Sequence, residues 1–320
     1  IPIRSQRPFP ITASVSDSIN WNFNEELPQL ITKTFIIIYP PIKLYPYFNI
    51  FFPTDQTIYG IIFKKGGYVL KKMQIIIFVL ALICFLGSAG YLGKYFLERH
   101  ASKQNMDDVK SLLVEETGTS ETKTDENDIL IKYSLLHKEN PDFAGWIQIP
   151  DTTIDYPVMY VKDDNETYLH ANFKKEYDAG GVPFIDGYCS LEPVSDNLII
   201  YGHHMNDNSM FQPLMNYKDK KFCDAHPTIR FDTLKETGTY TVISVISARA
   251  LAEGEEGFRY YGHLDFSDET DFNNYMTNIR QLQLYDTGET AVFGDRLITL
   301  STCEYSQEDG RLAVIAKKVD

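Results

Sequence analysis

Leu297-Ile298-Thr299-Leu300-Ser301-Thr302-Cys303 is an apolar run that ends in a thiol. A short stretch of this kind reads as a buried β-strand, and its last residue is delivered to the strand's tip. Cys303 is therefore the candidate nucleophile. A thiol attacks a carbonyl only as thiolate, and the reaction also needs a proton for the leaving group and a donor for the oxyanion. The chain offers both. Tyr201-Gly202-His203-His204 follows the apolar residues Leu198, Ile199 and Ile200, and Arg311 stands eight residues beyond Cys303 at the head of another apolar run.

Outward from this strand, the second half of the chain is a succession of short β-like runs at 145–149, 154–160, 181–185, 197–201, 228–232, 238–248, 290–293, 296–302 and 312–317, punctuated by Asp, Asn, Gly and Pro. Their number and spacing predict a closed or nearly closed barrel instead of a parallel sheet. Residues 267–284 interrupt the pattern. There Ser267, Glu269 and Thr270 precede Phe272, Tyr275, Met276 and Ile279 at helical spacing, which predicts an amphipathic helix. A shorter helix is expected over 128–137, ahead of Asn140-Pro141.

The N-terminal part is of another kind. Residues 75–92 (IIIFVLALICFLGSAGYL) carry no charge over eighteen positions, which at about 1.5 Å per residue just crosses a hydrocarbon core of roughly 30 Å. Lys64, Lys65, Lys71 and Lys72 precede the run, so the positive-inside rule leaves the N-terminal side in the cytoplasm and the later domain outside. Residues 73–93 are expected to be a membrane anchor. The rival is a cleaved signal peptide ending near Gly87-Ser88-Ala89-Gly90; either one exports the C-terminal domain. Residues 94–127, polar and rich in Glu, Thr, Ser and Lys, are expected to form an extracellular tether, with the catalytic domain over 128–320. Residues 1–72 fit neither part: 1–68 hold no methionine and show no helix or strand period. Lys64-Lys65-Gly66-Gly67 can be encoded as a purine-rich ribosome-binding sequence with Val69 or Leu70 at start-codon spacing, which predicts translation from there. A cytoplasmic tail is the alternative.

The chain has 44 acidic against 30 basic residues, and 94–320 holds 40 against 22. Such an acidic domain repels nucleic acid, and no basic stripe reverses that. Of the four cysteines, Cys84 lies in the apolar run; Cys189, Cys223 and Cys303 cannot all pair, and no Cys-x-x-Cys or Cys/His cluster points to a metal. Cys303 is expected to be free.

The segments TLSTC, YGHHM with Asn206, Ser209, Met210 and Phe211 after it, and GRLAVIAK, together with Asn140 to Ile147 and Ile154-Asp155-Tyr156-Pro157-Val158, resemble class B sortases over about 128–320. The resemblance implies a mainly β fold: an eight-stranded barrel with N-terminal helices and an extra helix between the sixth and seventh strands. It implies a membrane-anchored cysteine transpeptidase that cleaves the C-terminal sorting signal of an exported surface protein after Thr. The protein would be held as a thioester and passed to an amine of a peptidoglycan precursor, without a metal or organic cofactor. Wall anchoring and pilin polymerisation differ in the acceptor amine, and both stay open.

The resemblance implies a Cys303, His203 and Arg311 set, with Ser301 and Glu304 lining the substrate groove. His204 stands where many relatives carry Asn, and it is the rival of His203. A lone arginine at a strand start is ordinarily a solvated charge; the spacing to Cys303 sets Arg311 apart. Ser301 is equally readable as an ordinary strand serine. Two other classes compete. A papain-like hydrolase opens a helix with its cysteine and places the histidine later in sequence, the reverse of the order here. A non-catalytic surface module would have an inert thiol.

Overall fold

The computed structural model describes residues 56–113, 123–252, 254–306 and 309–320. Most of the expected N-terminal extension and the centre of the expected tether lie outside these residues. Eight strands close into a barrel in the order β1-β2-β3-β4-β7-β8-β6-β5. They are β1 (Phe143–Gln148), β2 (Asp155–Met159), β3 (Phe184–Ile185), β4 (Asn197–Tyr201), β5 (Thr228–Thr233), β6 (Thr239–Arg249), β7 (Leu297–Cys303) and β8 (Gly310–Lys318). Pairings are antiparallel except β2 with β3 and β4 with β7. The expected strand over 290–293 is not formed. Val292 and Asp295 instead close a turn, the Asp295 carboxylate accepting from the Val292 amide at 2.8 Å, which uses up the backbone donor a strand would have paired.

Side chains along β7 and β8 alternate, as a pleat requires. Ile298, Leu300, Leu312, Val314 and Ala316 enter the barrel interior with Leu198, Ile200, Phe231 and Val242. Leu297, Ala313 and Ile315 point outward into a second core. That outer core exists because a helix between β6 and β7, α4 (Glu269–Leu282), lays Phe272, Tyr275, Met276 and Ile279 on the barrel wall. Its cap is Asp268, whose carboxylate accepts from the Thr270 and Asp271 amides. The expected helix over 128–137 appears as a 3₁₀ turn at Ile131–Tyr133 followed by α2 (Ser134–Glu139). A further short helix, α3 (Lys220–Ala225), precedes β5.

The first helix, α1 (Gln56–Ser111), runs without a break through the apolar stretch. Its residues 71–111 form the one helix among those described that is long and apolar enough to cross a membrane, and its apolar window is wholly exposed. The expected tether begins as helix: α1 continues to Ser111, where Val109 is buried, Met106 packs on the interior core, and Lys110 Nζ reaches Asp155 Oδ2 at 2.7 Å. Composition alone missed this because the contact rests on isolated apolar side chains, Met106 and Val109, in an otherwise polar stretch.

Candidate active site

Cys303 and Arg311 are register partners across the β7–β8 ladder. By alternation both belong to the outward face, beneath the β6–β7 connection. The thiol is buried, 5% exposed, and forms no disulfide; the same holds for buried Cys189 and Cys223 and for exposed Cys84. Burial pushes the Cys303 thiol up to about 11, against the pull of the Arg311 cation, while Asp309 adds to the rise. Arg311 Nη1 donates to the Gly310 carbonyl at 2.9 Å.

The histidines arrive from β4, which lies parallel to β7 with Tyr201 beside Ser301. Past the strand end the pairing continues. The Gly202 amide donates to the Ser301 carbonyl at 3.1 Å, and Thr302 Oγ1 donates to the Gly202 carbonyl at 2.8 Å. Glycine is required there because a Cβ would fall 2.5 Å from the Phe211 ring. Next, the Phe211 amide donates to the His203 carbonyl at 2.8 Å, which fixes the histidine's backbone.

The two rings have different neighbours. His203 Nε2 lies 2.7 Å from the Leu169 carbonyl; a carbonyl can only accept, so Nε2 carries the proton and Nδ1 the lone pair in the neutral ring. Its ring centroid is 5.3 Å from that of His170, which in turn stacks on exposed Tyr177. Burial lowers His203 to about 4; the Leu169 bond opposes this, His170 and Arg99 reinforce it, and Asp178 opposes it. His204 Nδ1 donates to the Cys303 carbonyl at 2.8 Å, and its ring lies 4.9 Å from that of Tyr305. His204 therefore braces the Cys303 backbone.

The expected groove residues Ser301 and Glu304 have protein partners. Ser301 Oγ is 2.8 Å from the hydroxyl of Tyr260, which is fully buried in the β6–β7 connection. Glu304, 3% exposed, pairs with Lys218 Nζ at 2.6 Å and accepts from the Ser306 amide at 3.0 Å. Burial acts to raise the Glu304 carboxyl, but the Lys218 and Ser306 hydrogen bonds outweigh it and leave it below its ordinary value. Tyr260, His170, Leu169 and Lys218 were not singled out from sequence. Only the aromatic cluster Phe258-Arg259-Tyr260-Tyr261 gave a local signal. No group of three or more His, Cys, Asp or Glu suited to a metal occurs among the described residues.

A closed mixed barrel with a cysteine and an arginine side by side, and histidines at the neighbouring strand end, defines a class of enzyme that comparison with known proteins identifies. The Sortase domain family model matches residues 147–319. Sortase B of Listeria monocytogenes is 36% identical over 237 residues, 73% of this chain and 92% of that protein. Sortase B of Staphylococcus aureus is 32% identical over 188 residues, 58% of this chain and 74% of that protein. The crystal structure of sortase B from B. anthracis in complex with AAEK1 superposes with a TM-score of 0.60 at 31% identity, covering 70% of this chain and 99% of that one. The chain belongs to the sortase family of cysteine transpeptidases, in its class B.

Proposed function

We propose that the protein is a single-pass membrane enzyme whose outward-facing domain cleaves the C-terminal sorting signal of exported surface proteins after Thr and joins them to an amine of a cell-wall precursor. Cys303 is the nucleophile, His203 the acid and base, and Arg311 the oxyanion donor. The observation that carries this reading is the Cys303–Arg311 register pair: it sets a permanent cation beside the one sulfur placed at a strand end next to histidines.

With the thiol at about 11 and the imidazole at about 4, both groups rest neutral at pH 7. The thiol proton passes to His203 to give the reactive ion pair, a minor form that Arg311 stabilises from the sulfur side. The Cys303 thiolate adds to the Thr carbonyl carbon, and the oxygen takes the negative charge beside the guanidinium. Collapse breaks the C–N bond; the departing amine takes the His203 proton, and a thioester remains. A neutral acceptor amine then attacks the thioester, gives its proton to His203, and expels the Cys303 thiolate as the new amide forms. Burial of the site keeps water scarce, which favours the amine over hydrolysis.

The test uses the full chain in detergent micelles with a sorting-signal peptide and a short glycine peptide or diamino-acid stem peptide. The expected product has the mass of the N-terminal fragment plus the amine, and Cys303→Ala gives none. Hydrolysed fragment alone at every amine concentration would leave a surface protease as the better description.

A further inference from the structure

α1 does not end with its apolar stretch but carries on to the catalytic domain, which Arg99 reaches. This residue stands seven positions past Leu92, about 10 Å along the helix axis. The Arg99 side chain is 14% exposed, with Nη1 3.9 Å from Asp207 Oδ2. Nη1 also lies 3.2 Å from the point a Cβ on Gly180 would occupy, and the Tyr95 ring lies 5.8 Å from its guanidinium carbon. Its Nε is buried without a hydrogen-bond partner. A long ion pair and an orphaned donor make poor use of a guanidinium in stability terms.

The turn that Arg99 touches is the one behind His203. The Gly180 amide donates to Asp178 Oδ1 at 2.8 Å. A Cβ on Gly181, at φ +55°, would fall 2.5 Å from the Leu169 carbonyl oxygen, the acceptor of His203 Nε2. Residues 178–181 thus lie against Arg99 of the helix at Gly180 and, at Gly181, against the carbonyl that His203 Nε2 bonds. The charged and titratable groups around the ring are Arg99 from α1, His170 after the 3₁₀ turn Thr167–Leu169, and Asp178 before β3. Asp207, beyond β4, partly balances Arg99.

We propose that Arg99 is a positioning residue for the reaction: seated between Gly180 and Asp207, its charge acts on the His203 ring, so that the docking of the membrane-proximal helix is coupled to the reaction centre. The inference rests on His203 being the acid and base. The field of Arg99 disfavours the imidazolium, and a chain whose α1 has swung away holds a more basic histidine.

The test is the titration of His203 in the full chain in micelles, read by NMR of ring-labelled histidine and assigned by the resonance lost in His203→Gln, alongside the acid limb of the kcat/KM profile. Arg99→Gln removes a cation that disfavours the imidazolium and should raise the His203 midpoint, with the acid limb moving the same way. Arg99→Lys should restore the wild-type midpoint. Asp207→Asn leaves the Arg99 charge less balanced and should move it down; this second variant reports even if Arg99→Gln folds poorly. An unmoved midpoint in both Arg99→Gln and Asp207→Asn overturns the proposal, as does a shift in Arg99→Lys as large as that in Arg99→Gln. A moved midpoint with an unmoved acid limb overturns the assignment of His203, and with it the part of Arg99 in the reaction.

Discussion

The Tyr260 hydroxyl and the Ser301 Oγ lie 2.8 Å apart in a fully buried setting, two residues before the thiol. Burial drives the Tyr260 phenol up to about 12, against the Ser301 bond and the Arg311 cation, so it stays protonated at neutral pH and able to donate. The bond fastens the connection that carries α4 to the strand that ends in Cys303.

Tyr260→Phe keeps the ring and deletes this bond, which leaves Ser301 Oγ buried with one partner fewer. The expected cost is about 1–2 kcal/mol, read as a lower denaturant midpoint with unchanged slope. Tyr260→Ala also empties a ring-sized space and should cost about 3–5 kcal/mol. Equal midpoints for wild type and Tyr260→Phe would mean the contact contributes nothing.

Arg311 acts by charge on the resting thiol and, in the proposed reaction, by geometry on the oxyanion, and two substitutions separate these. Arg311→Gln removes the cation that opposes burial, so the Cys303 thiol rises further and its labelling by a methanethiosulfonate slows at every pH below its midpoint. Arg311→Lys keeps a charge and near-normal labelling, yet it lacks the planar fork and should lose about 100- to 1,000-fold in turnover. In wild type, Cys303 should label before Cys189, which burial carries to about 12. Wild-type turnover in Arg311→Lys would reduce the arginine to charge balance.

Strong local signals made much of the fold legible in the sequence. The strand 197–201 matched its observed limits, and α4 followed its Phe272, Tyr275, Met276 and Ile279 stripe. The stop at Ser111 did not show, because α1's docking depends on Met106, Val109 and Lys110 meeting side chains far away in sequence. The partners of Ser301 and Glu304 were hidden for the same reason. Tyr260 and Lys218 approach from 41 and 86 residues away, and no period in the sequence records such a meeting.

Glu304 and Lys218 supply a pH signature. The folded carboxyl sits below its ordinary 4.5, so the unfolded chain binds the proton first as pH falls. The stabilisation from this pair is complete above about pH 4.5 and is lost as pH drops through the folded value. Lys218 is 37% exposed, so solvent screening moderates the pair. Lys218→Met should cost about 1–3 kcal/mol at pH 7 and progressively less in acid, because protonation of Glu304 removes the uncompensated charge. A pH-independent difference between Lys218→Met and wild type would show that packing alone was lost.

His203 and His204 are adjacent in sequence and opposite in expected effect. His203→Ala removes the only ring assigned to carry protons and should abolish both cleavage and transfer with the barrel intact. His204→Ala removes one hydrogen bond to the Cys303 carbonyl, so it should lower stability by about 1 kcal/mol and slow the enzyme only modestly. The stability profiles differ as well. His203 is held near 4 in the folded chain, against 6.5 for an ordinary histidine. Between those values the unfolded chain binds the extra proton, and wild-type stability falls as pH drops from about 6.5 toward 4. His203→Ala lacks that group, so its stability should fall less over the same interval, measured by urea midpoints at pH 7, 6, 5 and 4. A fatal His204→Ala beside a tolerated His203→Ala would exchange the two roles.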